Sequence, residues 1–125
     1  MSVVKIAALA ASLVMAPAWA GDLTGPQKNA VRSAKQYLGM QGFSREGLIQ
    51  QLSADVGEGY KLADATRAVD SLKVDWNRQA AKSAKLYLDM QGFSCKGLIE
   101  QLSSSAGDKY TVPQATYGAQ QAGAC

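Results

Sequence analysis

From Thr24 onward, apolar residues recur at three- and four-residue spacing, and no stretch alternates as a strand would. Ala30, Ala34, Tyr37 and Leu38 form one stripe, which predicts an amphipathic helix from about Pro26 to Gln41. Ala80, Ala84, Tyr87 and Leu88 predict a matching helix from Trp76 to Gln91. Pro26 suits the first turn, where its missing N–H is not needed, and Asp75 can cap the second helix ahead of Trp76. Gly42 and Gly92 are expected to stop these helices in the left-handed conformation that glycine tolerates. Ser44 and Ser94 are natural N-caps for the helices that follow, with Phe43 folding onto Leu48 and Phe93 onto Leu98 as staples. Leu48, Ile49, Leu52 and Val56 form the expected buried face, repeated as Leu98, Ile99, Leu102 and Ala106, with Gly57 and Gly107 ending these helices. A third helix is expected from near Leu62, burying Leu62, Ala65, Val69 and Leu72, and again from near Val112. There Thr111 and Gln114 fit a capping box and Pro113 sits in the first turn. The predicted fold class is all-α.

These elements belong to an internal repeat. SAKQYLGMQGFSREGLIQQLS, Ser33 to Ser53, returns as SAKLYLDMQGFSCKGLIEQLS, Ser83 to Ser103, with 16 of 21 positions identical. The offset is fifty residues without a gap, and it also pairs Tyr60 with Tyr110 and Ala65-Thr66 with Ala115-Thr116. Two three-helix, helix-turn-helix-like units follow, over residues 24–72 and 74–122. Units of this size bury little surface alone, and the link from Leu72 to Asp75 is too short for a free tether. The two units are therefore expected to pack together, with Trp76 at their junction.

Residues 1–20 read as a signal peptide rather than as part of the fold. Lys5 gives the positive start, Ile6 to Met15 the apolar stretch, and Ala18-Trp19-Ala20 a small-x-small cleavage site before Gly21. The alternative, an uncleaved anchor, is disfavoured because the stretch is shorter than the ~20 residues that span a bilayer. Pro17 also interrupts it. Without a lipid-acceptor cysteine at this site, the expected location is periplasmic or secreted. Setting Lys5 aside leaves 12 Lys and Arg against 10 Asp and Glu, a balance too even for a dedicated nucleic-acid binder.

Catalysis finds little support. The chain has no histidine, which removes Ser–His and Cys–His nucleophile systems and histidine metal ligands, and two cysteines alone cannot build a zinc site. Glycines stand as helix stops rather than in a phosphate-cradling loop, and acidic pairs such as Asp55 and Glu58 fall near helix ends. The expectation is no enzyme, no metal and no cofactor. Sequence-specific DNA reading is equally disfavoured: Arg67 lies between Asp64 and Asp70, and Val112 to Ala122 carries no charged residue.

One polar feature does repeat. Lys28, Arg32 and Lys35 lie opposite the apolar stripe, and Arg78, Lys82 and Lys85 repeat them. An ordinary solvated face is one reading; a basic surface for an acidic partner, a phosphate-rich membrane surface or passing DNA is the other. Cys95 and Cys125 are specific to the second unit, since Arg45 stands at the position matching Cys95. A Cys95–Cys125 disulfide is favoured over free thiols or an intermolecular bridge in an exported chain. It would pin a third helix in which Ala119 and Ala122 replace Val69 and Leu72, contributing roughly 3 kcal/mol by chain entropy.

The repeated SAKxYLxMxGFSxxGLIxQLS block, the DATRAVDSLKVDWNRQAAKSAK junction and the closing QATYGAQQAG resemble the repeat of the host cell surface-exposed lipoprotein (Ltp) family. The resemblance implies a tandem three-helix fold displayed outside the cytoplasmic membrane. It also implies a role that some phage-encoded members have: superinfection exclusion, in which an incoming phage is stopped from delivering its DNA. The partner so implied is a protein, such as a component of the incoming phage tail. The alternative is a structural or adhesive envelope protein that binds a wall, membrane or host component.

Overall fold

The computed structural model describes residues 22–125, so the leader expected over residues 1–20 lies outside the described residues. Six helices carry the fold: α1 (Gly25–Met40), α2 (Arg45–Ser53), α3 (Leu62–Ser71), α4 (Trp76–Met90), α5 (Cys95–Ser103) and α6 (Val112–Gln121). No strand occurs among the described residues, and the chain is all-α with two tandem three-helix repeats.

Local chemistry sets the helix starts. Ser44 accepts from the Gly47 N–H and Ser94 from the Gly97 N–H, each at 2.9 Å, and Asp75 accepts from Arg78. Thr111 and Gln114 close the expected capping box, while Thr24 and Gln27 close a second one ahead of α1. Helix ends differ from expectation. Gly42 and Gly92 are not left-handed; the chain leaves α1 and α4 through extended Gln41 and Gln91. α2 and α5 stop at Ser53 and Ser103, short of Val56 and Ala106, so both of these are exposed, Val56 fully. Leu62 opens α3 from its rim and is 65% exposed rather than buried.

Each unit has its own core. In the first, Ala34, Leu48, Ile49, Leu52, Ala65 and Val69 pack together, with Tyr37, Phe43 and Leu72 against them. In the second, Ala80, Ala84, Leu98, Leu102, Tyr110, Ala115 and Ala119 do the same. Leu48, Leu52, Leu98 and Leu102 are wholly buried, each contributing on the order of 2 kcal/mol. The small residues of α6 are matched by a closer approach. At Gly118, where the first unit has Ala68, a Cβ would lie 2.7 Å from the backbone of Ala80, so α6 lies directly on α4. Cys95 is bonded to Cys125, fastening the start of α5 to the segment beyond α6.

Trp76, the first residue of α4, packs on the core of the first unit, as expected for a junction residue. The rest of the seam is polar and joins the turn after α1 to the second unit. The Phe43 N–H donates to Gln79 Oε1 at 3.1 Å, and the Ser44 hydroxyl donates to the Asp108 carbonyl. Lys82 Nζ donates to the Leu38 carbonyl at 3.2 Å. A Cβ on Gly42 would sit 2.6 Å from the Gln79 carbonyl and 2.7 Å from Ser83 Oγ. Glycine is required there by close approach, not by its backbone angle.

Candidate functional site

All six basic residues singled out by spacing are exposed: Lys28, Arg32 and Lys35 on α1, and Arg78, Lys82 and Lys85 on α4. Among the described residues the ion pairs involve only Arg45 and Lys85, and the Lys85–Asp89 pair is a loose 4.0 Å. The structure brings the α4 triplet together: Arg78, Lys82 and Lys85 border one shallow cleft with Gln121, the last residue of α6, and Ala122 just beyond it. Lys82 and Lys85 also border a second cleft beside Met40 and Leu86, both largely exposed. That mixed surface offers cationic donors next to apolar area, the combination a partner segment with both features can use. The α1 triplet follows one exposed helix face at spacings of four and three.

Behind these faces each unit holds the same polar lattice. Tyr37 donates to Glu58 at 2.7 Å and accepts from Gln51 at 3.3 Å; Tyr87 donates to Asp108 at 3.1 Å and accepts from Gln101 at 3.3 Å. Ser33 pairs with Tyr60 at 3.0 Å, and Ser83 with Tyr110 at 2.7 Å. Phe43 and Phe93 meet Tyr37 and Tyr87 edge to face, with ring centroids 5.7 Å apart in both units. The lattice is drier in the second unit. Burial pushes the Tyr110 hydroxyl far above its ordinary value, and burial likewise raises Tyr87 and the Asp108 carboxyl. In the first unit the Glu58 hydrogen bond is the main cause that raises Tyr37.

These groups are bonded to one another rather than aimed at open space, and every buried side-chain polar atom among the described residues has a partner. No group of three or more His, Cys, Asp or Glu side chains gathers there to hold a metal ion. None of the described helices is long and apolar enough to cross a membrane.

Residues 26–72 and 75–121 each match the repeat of the family described as host cell surface-exposed lipoprotein, so the two matches take up most of the chain. The chain belongs to that family. Its fold is also similar to the solved structure of Ltp, a superinfection exclusion protein from the Streptococcus thermophilus temperate phage TP-J34. The two share 31% sequence identity at a TM-score of 0.71, over 79% of this chain and 97% of the other. No curated protein is similar enough in sequence to count as a match.

The sequence of this Ltp-family chain pointed to exposed basic positions, the cysteine pair and Trp76 at the junction, but not to the polar contacts of the seam. Gln79, Ser83 and Asp108 read as ordinary polar positions, yet they hold the turn of the first unit. The lattice did leave a signal: Tyr37 and Gln51, Ser33 and Tyr60 are all identical in the second copy, although none is aliphatic.

Proposed function

We propose that this protein is an exported, non-catalytic binding protein of the cell envelope that excludes superinfecting phage by interfering with DNA delivery. The observation that carries the reading is the likeness of nearly the whole described fold to a superinfection exclusion protein, within a shared family. A leader cleaved after Ala20 would place the helical units outside the cytoplasm, where they meet phage components before the genome reaches the cell. Recognition without catalysis needs a surface. The exposed faces carrying Lys28, Arg32 and Lys35, and Arg78, Lys82 and Lys85, suit a protein partner such as an acidic part of the incoming tail.

Phage challenge tests this directly. Cells expressing the protein should adsorb phage normally yet take up less phage DNA for a subset of a broad panel. A panel in which no phage is excluded would sink the reading and favour an envelope-binding role. Reversing the charges of Lys28, Arg32, Lys35, Arg78 and Lys85, with Lys82 kept because it donates to the Leu38 carbonyl across the seam, should abolish protection while leaving export and folding intact, since exposed substitutions seldom cost more than ~0.5 kcal/mol each.

A further inference from the structure

We infer that the turn Gly92–Phe93–Ser94 is a docking surface for the first unit of a second copy of this chain, so that copies join head to tail. The inference is independent of which partner the basic faces meet. It starts from the direction of the seam. The first unit contributes its turn, Gly42 to Ser44, with the Leu38 carbonyl; the second contributes α4 and the Asp108 loop. Because the two units use different surfaces, each keeps one half of the interface unused. The second unit keeps its turn, and the first keeps its α1 and Glu58 loop.

Both unused halves retain the chemistry of the used ones. On the turn side Leu88, Gly92, Phe93 and Ser94 are identical to Leu38, Gly42, Phe43 and Ser44. Ser44 is buried by its partner, whereas Ser94 is exposed and Gly92 has nothing within 4 Å of a built Cβ. Gly92 has no positive φ either, so neither backbone angle nor packing within the chain calls for glycine there. On the other side Gln79, Lys82, Ser83 and Asp108 correspond to Asn29, Arg32, Ser33 and Glu58. An amide, a cation, a hydroxyl and a loop carbonyl are thus offered in the same order, and none of the four residues is buried.

Such a heterologous contact does not close on itself in a pair, so it extends into a chain or ring of copies. It is weaker than the internal seam, which adds the Trp76 anchor and a four-residue tether; Pro26 stands where Trp76 would be.

Sedimentation velocity of the exported full-length chain tests the inference. The wild type should grow from monomer through dimer to longer species as concentration rises toward millimolar. Gly92→Gln fills the free turn and Asn29→Arg blocks the opposite face; each alone should be monomeric with an unchanged thermal midpoint. Mixed in equal amounts they should form dimers and nothing longer, since each variant retains the half that the other lacks. A wild type that stays monomeric throughout overturns the inference. So does association that persists in either variant alone, or a mixture of the two that stays monomeric.

Discussion

Arg45 and Asp70 join the start of α2 to the end of α3 by two parallel hydrogen bonds, Nε to Oδ1 at 2.8 Å and Nη2 to Oδ2 at 2.9 Å. Fifty residues on, the same position at the start of α5 is Cys95, and the Asp70 position is Gln120. The second unit therefore replaces a forked ion pair with a covalent bond to Cys125, fastening the same two regions of the unit by different chemistry. The ion pair holds the Asp70 carboxyl below its ordinary value, mainly through the Arg45 hydrogen bonds.

The two fasteners predict different costs. Both partners of the ion pair are partly exposed, at 38% and 48%, so Arg45→Ala should destabilise by no more than ~1 kcal/mol. A lowered carboxyl contributes above its unfolded value and loses that contribution as pH falls through the folded value. The cost of Arg45→Ala should accordingly vanish in acid. Cys95→Ser opens a link across 30 residues and should cost about 2–4 kcal/mol. Denaturant melts with and without reductant separate the cases: reductant should lower the midpoint of the wild type and of Arg45→Ala, and leave Cys95→Ser unmoved.

A pair of glycines makes a sharper comparison. Gly42→Ala drives a Cβ to 2.6 Å from a backbone carbonyl of α4, so the seam must open, at a cost of roughly 1–3 kcal/mol. Gly92→Ala, at the identical place in the second unit, meets nothing within 4 Å. It should be neutral or stabilise by up to ~1 kcal/mol through the unfolded chain. Equal effects from the two substitutions, measured by chemical denaturation, would falsify the assignment of Gly42 to the seam.

That comparison also shows what was legible in the sequence. The repeat, the helix count and the serine caps could be read because each depends on spacing or on a residue's reach within a few positions; the cysteine pair could be read because two thiols in an exported chain tend to pair with each other. Gly42 was also visible, but its reason was not. The atoms that forbid a side chain belong to Gln79 and Ser83, two helices further along the sequence. Val56 and Leu62 continued the apolar period in the sequence, yet α2 ends before the one and α3 begins at the other. A periodic pattern does not say where the backbone stops being helical. The basic faces were legible as exposed, whereas the cleft that gathers Arg78, Lys82 and Lys85 depends on how α6 lies on α4.

Asp108 is a half-buried carboxylate whose Oδ1 accepts from Tyr87 while its carbonyl accepts from Ser44. Burial raises its carboxyl above the ordinary value, so the fold prefers the protonated form and carries the ionised one at a cost. Asp108→Asn retains an Oδ1 acceptor for Tyr87 and removes the charge. It should stabilise the protein near pH 7 by less than about 1 kcal/mol, given the solvent screening at this depth. The sign of the linkage fixes the pH dependence. A raised carboxyl opposes folding only once ionised, so the gain from Asp108→Asn should be absent in acid and develop as pH rises through the folded value. Thermal melts from pH 3 to 7 would show the two curves parting upward; curves that part in acid instead would contradict the burial argument.

Tyr110 gives the corresponding prediction in base. Its ring lies in the second core at 3% exposure, and its hydroxyl is paired with Ser83 at 2.7 Å, with the Asp108 charge and Tyr87 nearby. Burial is the largest cause that holds the proton on, and the two neighbours add to it. An unfolded tyrosine ionises near pH 10. A group whose folded value is raised contributes its full stability below the unfolded value and loses it as pH climbs toward the folded one. The wild type should therefore weaken steadily above about pH 10 as the unfolded state gains by ionising Tyr110. Tyr110→Phe leaves Ser83 buried without its partner, so it should cost about 1–3 kcal/mol at neutral pH. It removes the ionisation at the same time, so the gap between variant and wild type should narrow as pH rises. Adding Ser83→Ala to Tyr110→Phe removes the orphaned hydroxyl and should recover part of the neutral-pH loss without restoring the steep alkaline decline. Stability curves for the three proteins between pH 7 and 12 decide the matter: a gap that stays constant across that range would mean that Tyr110 ionises as readily in the fold as in the unfolded chain.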